Sequence, residues 1–282
     1  MRIALTIEYD GSAFSGWQRQ NSRRTVQACV EQALSKVADE PVSVVCAGRT
    51  DASVHALEQI AHFETSAKRD MQAWTLGANT HLPDDVRIIG ARPVSDAFHA
   101  RSSALARCYR YIILNRNTRS ALLPRQTTWC FYPLDIEPMQ KAADYLIGEY
   151  DFSSFRAQGC QSKSPCRRVD WIMVRREDER VIIEIVANAF LHHMVRNIAG
   201  VLMTIGAGKE KPKWAQQVLL AHSRSAGGVT APPHGLYLVA IHYPRRFGLP
   251  RHALFDPLPD NLTRFDEPGS NEFPIPIDAN SS

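Results

Sequence analysis

Apolar residues recur along this chain in two rhythms, every second position and every three to four, and each rhythm predicts a different element. Residues 3–9 are rich in apolar side chains and stop at Asp10-Gly11, which predicts a buried strand entering a turn. Val26, Val30, Leu34 and Val37 follow at helical spacing behind Thr25, a residue type that caps helices, so a helix is predicted through residue 38. Residues 42–46 are β-branched and short, predicting a strand, with residues 59–64 as its return. Asp70 is placed to start a helix reaching about Thr80, and residues 86–94 read as a strand. In the second half, residues 107–115 form a strand with Tyr109, Tyr111 and Ile113 on one face. Asp135 and Pro138 open a helix to about Ile147. Residues 168–175 and 181–187 form a hairpin around the polar loop 177–180. Residues 191–205 and 213–221 read as helices, the first apolar enough to be buried, and residues 235–243 as a closing strand.

Two halves, 1–104 and 105–245, thus each mix strands with helices, which predicts the α+β class. Residues 246–282 hold six of the 17 prolines and no periodicity, and read as a poorly ordered extension. Hydrophobic residues at 44% and charged residues at 22% suit a globular protein with a sizeable core. No apolar run approaches the roughly 20 residues that span a bilayer. The start, MRIALTIEYDG, meets acidic residues too early for a signal peptide, so a cytoplasmic protein is expected, with no membrane partner. Cys29, Cys46, Cys108, Cys130, Cys160 and Cys166 include no CxxC pair and are read as free thiols.

Charge changes the picture. The net +4 divides into −3 on residues 246–282 and +7 on the rest, and a basic body suits a polyanionic partner. Chemistry is concentrated directly after the strand at 42–46, in CAGRTDASVHA, residues 46–56. Arg49, Asp51 and His55 project from that loop. An Asp two residues from an Arg can be kept ionised and serve as a nucleophile. The same spacing also serves a structural ion pair that pins a turn. No Ser/His/Asp or Cys/His hydrolase signature is present.

AGRTDASVHA resembles the signature of the tRNA pseudouridine synthase A family, usually AGRTDAGVHA. IEYDGSAFSGWQRQ near the start, FHARSSALARCYRYII at 98–113 and FLHHMVRNIAG at 190–200 resemble its other motifs, so the likeness covers about residues 1–245. It implies conversion of uridine to pseudouridine at positions 38, 39 and 40 of the tRNA anticodon stem-loop. It implies a homodimer, no cofactor, and the pseudouridine synthase fold: two α/β lobes with antiparallel (mixed) sheets joined into one extended central sheet, the catalytic cleft between them. On these motifs the catalytic aspartate is Asp51, the substrate-stacking tyrosine Tyr109, the base-displacing arginine Arg49, and an arginine able to pair with the aspartate Arg196. Ser53 departs from the usual glycine, and a positive φ there would strain serine.

A paired base must be flipped out to be reached, at a cost of a few kcal/mol. Arg101, Arg107, Arg110, Arg156, Arg167, Arg168, Arg175 and Arg176 are candidate phosphate contacts, since the guanidinium fork matches phosphate oxygens. His55, His192 and His193 are candidate RNA contacts. As adjacent helix residues, His192 and His193 are expected to diverge, one into the core and one toward the RNA, and no metal site is expected. The competing reading is a tRNA-binding protein without catalysis on the same scaffold.

Overall fold

A computed structural model of the chain describes residues 1–250 and 252; the tail expectation falls almost wholly outside them. Among the described residues ten strands form one mixed sheet, running β4-β1-β3-β10-β5-β9-β8-β7, with β2 beside β3 and β6 beside β5. Here β1 is Arg2–Tyr9, β2 Val45–Cys46, β3 His55–Glu64, β4 Val86–Val94 and β5 Ala106–Asn115. The others are β6 Thr128–Cys130, β7 Gly148–Asp151, β8 Cys166–Glu177, β9 Arg180–Ala187 and β10 Leu236–His242. All neighbours are antiparallel except β3–β10 and β5–β6. The expected single extended sheet forms because β10 lies between β3 and β5, pairing with β3 only through Tyr237 and Leu238. The cleft opens near that narrow junction.

Helix α1, Val26–Ala38, buries Val30, Ala33 and Leu34. Thr25 precedes it without capping it: its hydroxyl is buried and unpartnered, and the carbonyls of Gly16 and Trp17 take up the N–H groups of Val26 and Gln27 instead. Helices α2 (Ile136–Asp144), α3 (Met194–Gly206) and α4 (Lys213–Leu220) pack together over the other half of the sheet. Asp135 caps α2 as expected, by accepting from the N–H of Glu137.

Several boundaries differ from the sequence reading. The strand expected over 42–46 shrinks to two residues, because Ser35 and Glu31 of α1 capture the N–H groups of Val42 and Val44 that a ladder would use. The helix expected from Asp70 is mainly a wide π turn, Ala73–Gly77, although Asp70 does accept from the N–H of Ala73. β3 begins at His55, four residues early, across a break in its pairing with β1. Helix α2 stops at Asp144, and the β8–β9 hairpin turns on Asp178 and Glu179 alone. Strands β6 and β7 are three and four residues long, too short to show a period. Most relevant to function, α3 starts at Met194, because His193 turns left-handed at φ 62 just before it.

Candidate active site

The loop from β2 to β3, residues 47–54, is gripped from both sides. The buried Gln59 side chain on β3 brackets Gly48, donating to its carbonyl at 2.6 Å and accepting from its N–H at 3.4 Å. From the other side, the turn after β1 locks on. The N–H of Trp17 donates to the Thr50 carbonyl at 3.0 Å, the N–H of Ser53 to the Phe14 carbonyl at 3.3 Å, and Tyr9 shares a 2.8 Å hydroxyl bond with Thr50. The approach is so close that a Cβ on Gly11 would stand 2.0 Å from the Val54 carbonyl oxygen, and one on Gly16 2.7 Å from that of Thr50. Ser53 has φ 62, the left-handed backbone for which glycine is suited.

This grip aims Asp51 at the residues leading into α3. Its carboxylate is partly exposed and lies 3.2 Å from Nε2 of His192, 3.4 Å from Nε2 of His193 and 3.5 Å from Nη1 of Arg196. Arg196 is itself fixed by donating from Nε to the Ala231 carbonyl at 2.8 Å. Burial holds the His193 imidazole below the usual histidine range; Arg196 and His192 add to this and Asp51 opposes it.

Asp51 lines a cleft of about 1070 Å³ together with Arg49, Arg101, Arg107, Arg167 and Arg196. Among the described residues it is the sole carboxylate lining the cleft, against five arginines. Tyr109, from β5, forms part of the same wall, its ring edge-to-face with Phe190 at 5.0 Å. Burial, and then the charge of Asp51, push the Tyr109 phenol well above its usual range, so the ring meets the cleft as a neutral phenol. Arg49 is exposed on the rim and makes no hydrogen bond or ion pair among the described residues.

The profile described as tRNA pseudouridine synthase matches residues 5–101 and 142–244. The chain belongs to that family. It is 64% identical to tRNA pseudouridine synthase A of Methylococcus capsulatus over 94% of this chain and 98% of that one. It is 58% identical to the protein of that name from Nitrosococcus oceani, over 89% of this chain and 97% of that one. Among solved structures, an archaeal box H/ACA sRNP Nop10-Cbf5 complex aligns with a TM-score of 0.34 at 8% identity, over 71% of this chain and 42% of that one, too remote a likeness to carry an argument.

Several sequence candidates of this family member lie elsewhere or are already occupied. His55 is buried: Nδ1 accepts from the N–H of Gly11, Nε2 reaches the carbonyls of Arg125 and His234, and the ring stacks on Tyr237 at 4.6 Å. It braces the loop and does not face the cleft. Arg107 reaches the cleft wall, but its guanidinium is spent on the carbonyls of Ala47, Arg101, Ala104 and Asn188. Arg110 and Arg175 converge on the buried Glu184, on the opposite side of the pleat from Tyr109. Arg168 pairs with Asp170 at 2.7 Å, and Arg176 donates to Asn115 and the Leu134 carbonyl. Arg156 braces the 160–162 loop through its carbonyls. Buried acceptors claim these guanidiniums because leaving either partner unpaired is costly. Arg101 and Arg167 remain on the cleft wall, although Arg167 also holds Ser162 and Ser164.

His192 and His193 do not diverge. They precede the helix, the turn at His193 sends both rings the same way, and their centroids stand 4.0 Å apart. Gln59, Thr50 and Phe190 belong to the site but escaped the sequence reading. Gln59 left no distinguishing signal, since its strand also carries His55, Glu58, His62 and Glu64.

Proposed function

We propose that the chain isomerises uridine to pseudouridine in the anticodon arm of tRNA, at positions 38, 39 and 40, with Asp51 as the catalytic carboxylate. The observation that supports this most directly is the pairing, among the described residues, of a single carboxylate with five arginines in one cleft that a buried tyrosine ring also lines. An RNA substrate needs cations along its backbone and an aromatic face for an extruded base; stacking of that kind contributes about 1–3 kcal/mol. Base–sugar isomerisation gains and loses no atoms, so it needs no redox cofactor. Asp51 acts at C1′, at uracil C6 or on the ribose, and each route needs its charge against the nucleoside. Tyr109 stacks on the uracil and Arg49 fills the space the base vacates, which suits its lack of a protein partner. Arg196 and the two histidines orient the carboxylate, while Arg101 and Arg167 meet phosphates. The working unit is a cytoplasmic homodimer.

The test is release of the C5 hydrogen from unmodified tRNA. Asp51→Asn should lower release by roughly three orders of magnitude or more while tRNA binding stays within a few-fold; full activity in that variant would refute the assignment. The second reading, tRNA binding without catalysis, draws on Ser53, whose φ of 62 strains the loop. The N–H of Ser53 still donates to the Phe14 carbonyl, so the loop accommodates serine, which favours the isomerase. Tight tRNA binding with no release by the unaltered protein would reverse that preference.

A further inference from the structure

The left-handed turn at His193 gives the cleft a second chemical capacity. The donor atoms of Asp51, His192 and His193 all lie within 4.8 Å of one another. In a tetrahedral site with bonds of roughly 2.0–2.1 Å, neighbouring donors stand about 3.3 Å apart. Each imidazole already has that spacing from one oxygen of the carboxylate, His192 from Oδ1 at 3.2 Å and His193 from Oδ2 at 3.4 Å. His192 is half-exposed, so rotation of its ring can close the remaining edge. The turn itself is costly for a non-glycine residue, and here that left-handed conformation is what aims the second imidazole at the carboxylate.

We propose that Asp51, His192 and His193 form a binding site for a divalent transition metal of the zinc class, and that its occupancy switches the cleft off by engaging the carboxylate. Two imidazoles and one carboxylate make a three-ligand set whose fourth position faces the open cleft. Imidazole suits zinc, cobalt and nickel, whereas magnesium and calcium prefer all-oxygen shells, so the magnesium that accompanies RNA does not compete. Arg196, 3.5 Å from Oδ2, faces the same carboxylate oxygen as His193, so the metal is taken up in competition with that ion pair. The switching part rests on Asp51 being the catalytic carboxylate; the binding part does not.

The experiment uses the full metal-free chain carrying Cys160→Ser and Cys166→Ser, because Cys160 lines the same cleft and Cys166 is exposed. Cobalt uptake is followed by its visible absorption and zinc uptake by calorimetry. One ion per chain is expected, unaffected by millimolar magnesium. His192→Ala and His193→Asn should each weaken uptake at least tenfold. Asparagine tolerates the left-handed backbone, and a thermal melt checks that both variants are folded. Zinc should suppress C5 hydrogen release and a chelator restore it. No stoichiometric uptake, or uptake indifferent to both histidine substitutions, overturns the site. Histidine-dependent zinc binding with release unimpaired overturns the switch. Histidine-dependent binding in a protein that never releases hydrogen upholds the site and refutes the isomerase reading instead.

Discussion

At position 53 a single hydroxymethyl group sets the cost of the loop that carries Asp51. Serine holds φ 62 there, and its N–H bond to Phe14 needs no side chain. Ser53→Gly removes strain of about 1–3 kcal/mol and adds back about 0.5–1 kcal/mol of unfolded-state entropy. A net gain of about 1 kcal/mol is therefore expected, read as a higher urea midpoint. An unchanged or lower midpoint would mean that the loop relaxes around serine. His193 has the same backbone geometry for another reason, since its ring is what faces Asp51.

Among the elements, the turn after β1 and the loop after β2 behave as one unit. Gly11→Ala places a Cβ 2.0 Å from the Val54 carbonyl oxygen, against main chain that cannot rotate away. The loop must move, so Gly11→Ala should destabilise by about 1–3 kcal/mol and reduce turnover together. Intact turnover would uncouple turn from site. Arg107 on β5 ties four loop carbonyls, from both halves of the chain, into the cleft wall. Arg107→Met keeps the aliphatic bulk and strands those acceptors. A loss of about 2 kcal/mol or more is expected in chemical denaturation. A cost near zero would mean that solvent already reaches the carbonyls.

On the scale of the whole molecule, β3 is where the two halves of the sheet meet, and it carries two groups that respond oppositely to pH. Burial raises Glu58 from 4.5 to about 7. Its contribution to folding is complete below 4.5 and is lost as pH rises through 7, because the folded state disfavours the carboxylate. Burial lowers His62 from 6.5 to about 4, so its contribution is complete above 6.5 and is lost as pH falls through 4. Glu58→Gln should therefore raise the melting temperature at pH 8 and change it little at pH 5. Equal shifts at both pH values would show that Glu58 titrates normally.

Strand periods, the Asp135 cap and the loop bearing Asp51 were legible from residue order, because alternation, caps and turns are decided by neighbours a few positions apart. Arg49 and Asp51 stood out by their place in a loop after a strand, whereas the separate roles of Arg49, Tyr109 and Arg196 were legible only as members of a familiar motif; all four do line one cleft. Residue order could not tell which arginines are free for RNA. Glu184, Asp170 and main-chain carbonyls claim Arg110, Arg168, Arg175 and Arg176, and those partners are assigned by sheet register and packing. Nor could it place His192 and His193 on Asp51, some 140 positions earlier. That meeting depends on β10 drawing the two halves together and on one backbone torsion at His193, a pairing and a torsion that no pattern of near neighbours in the sequence announces.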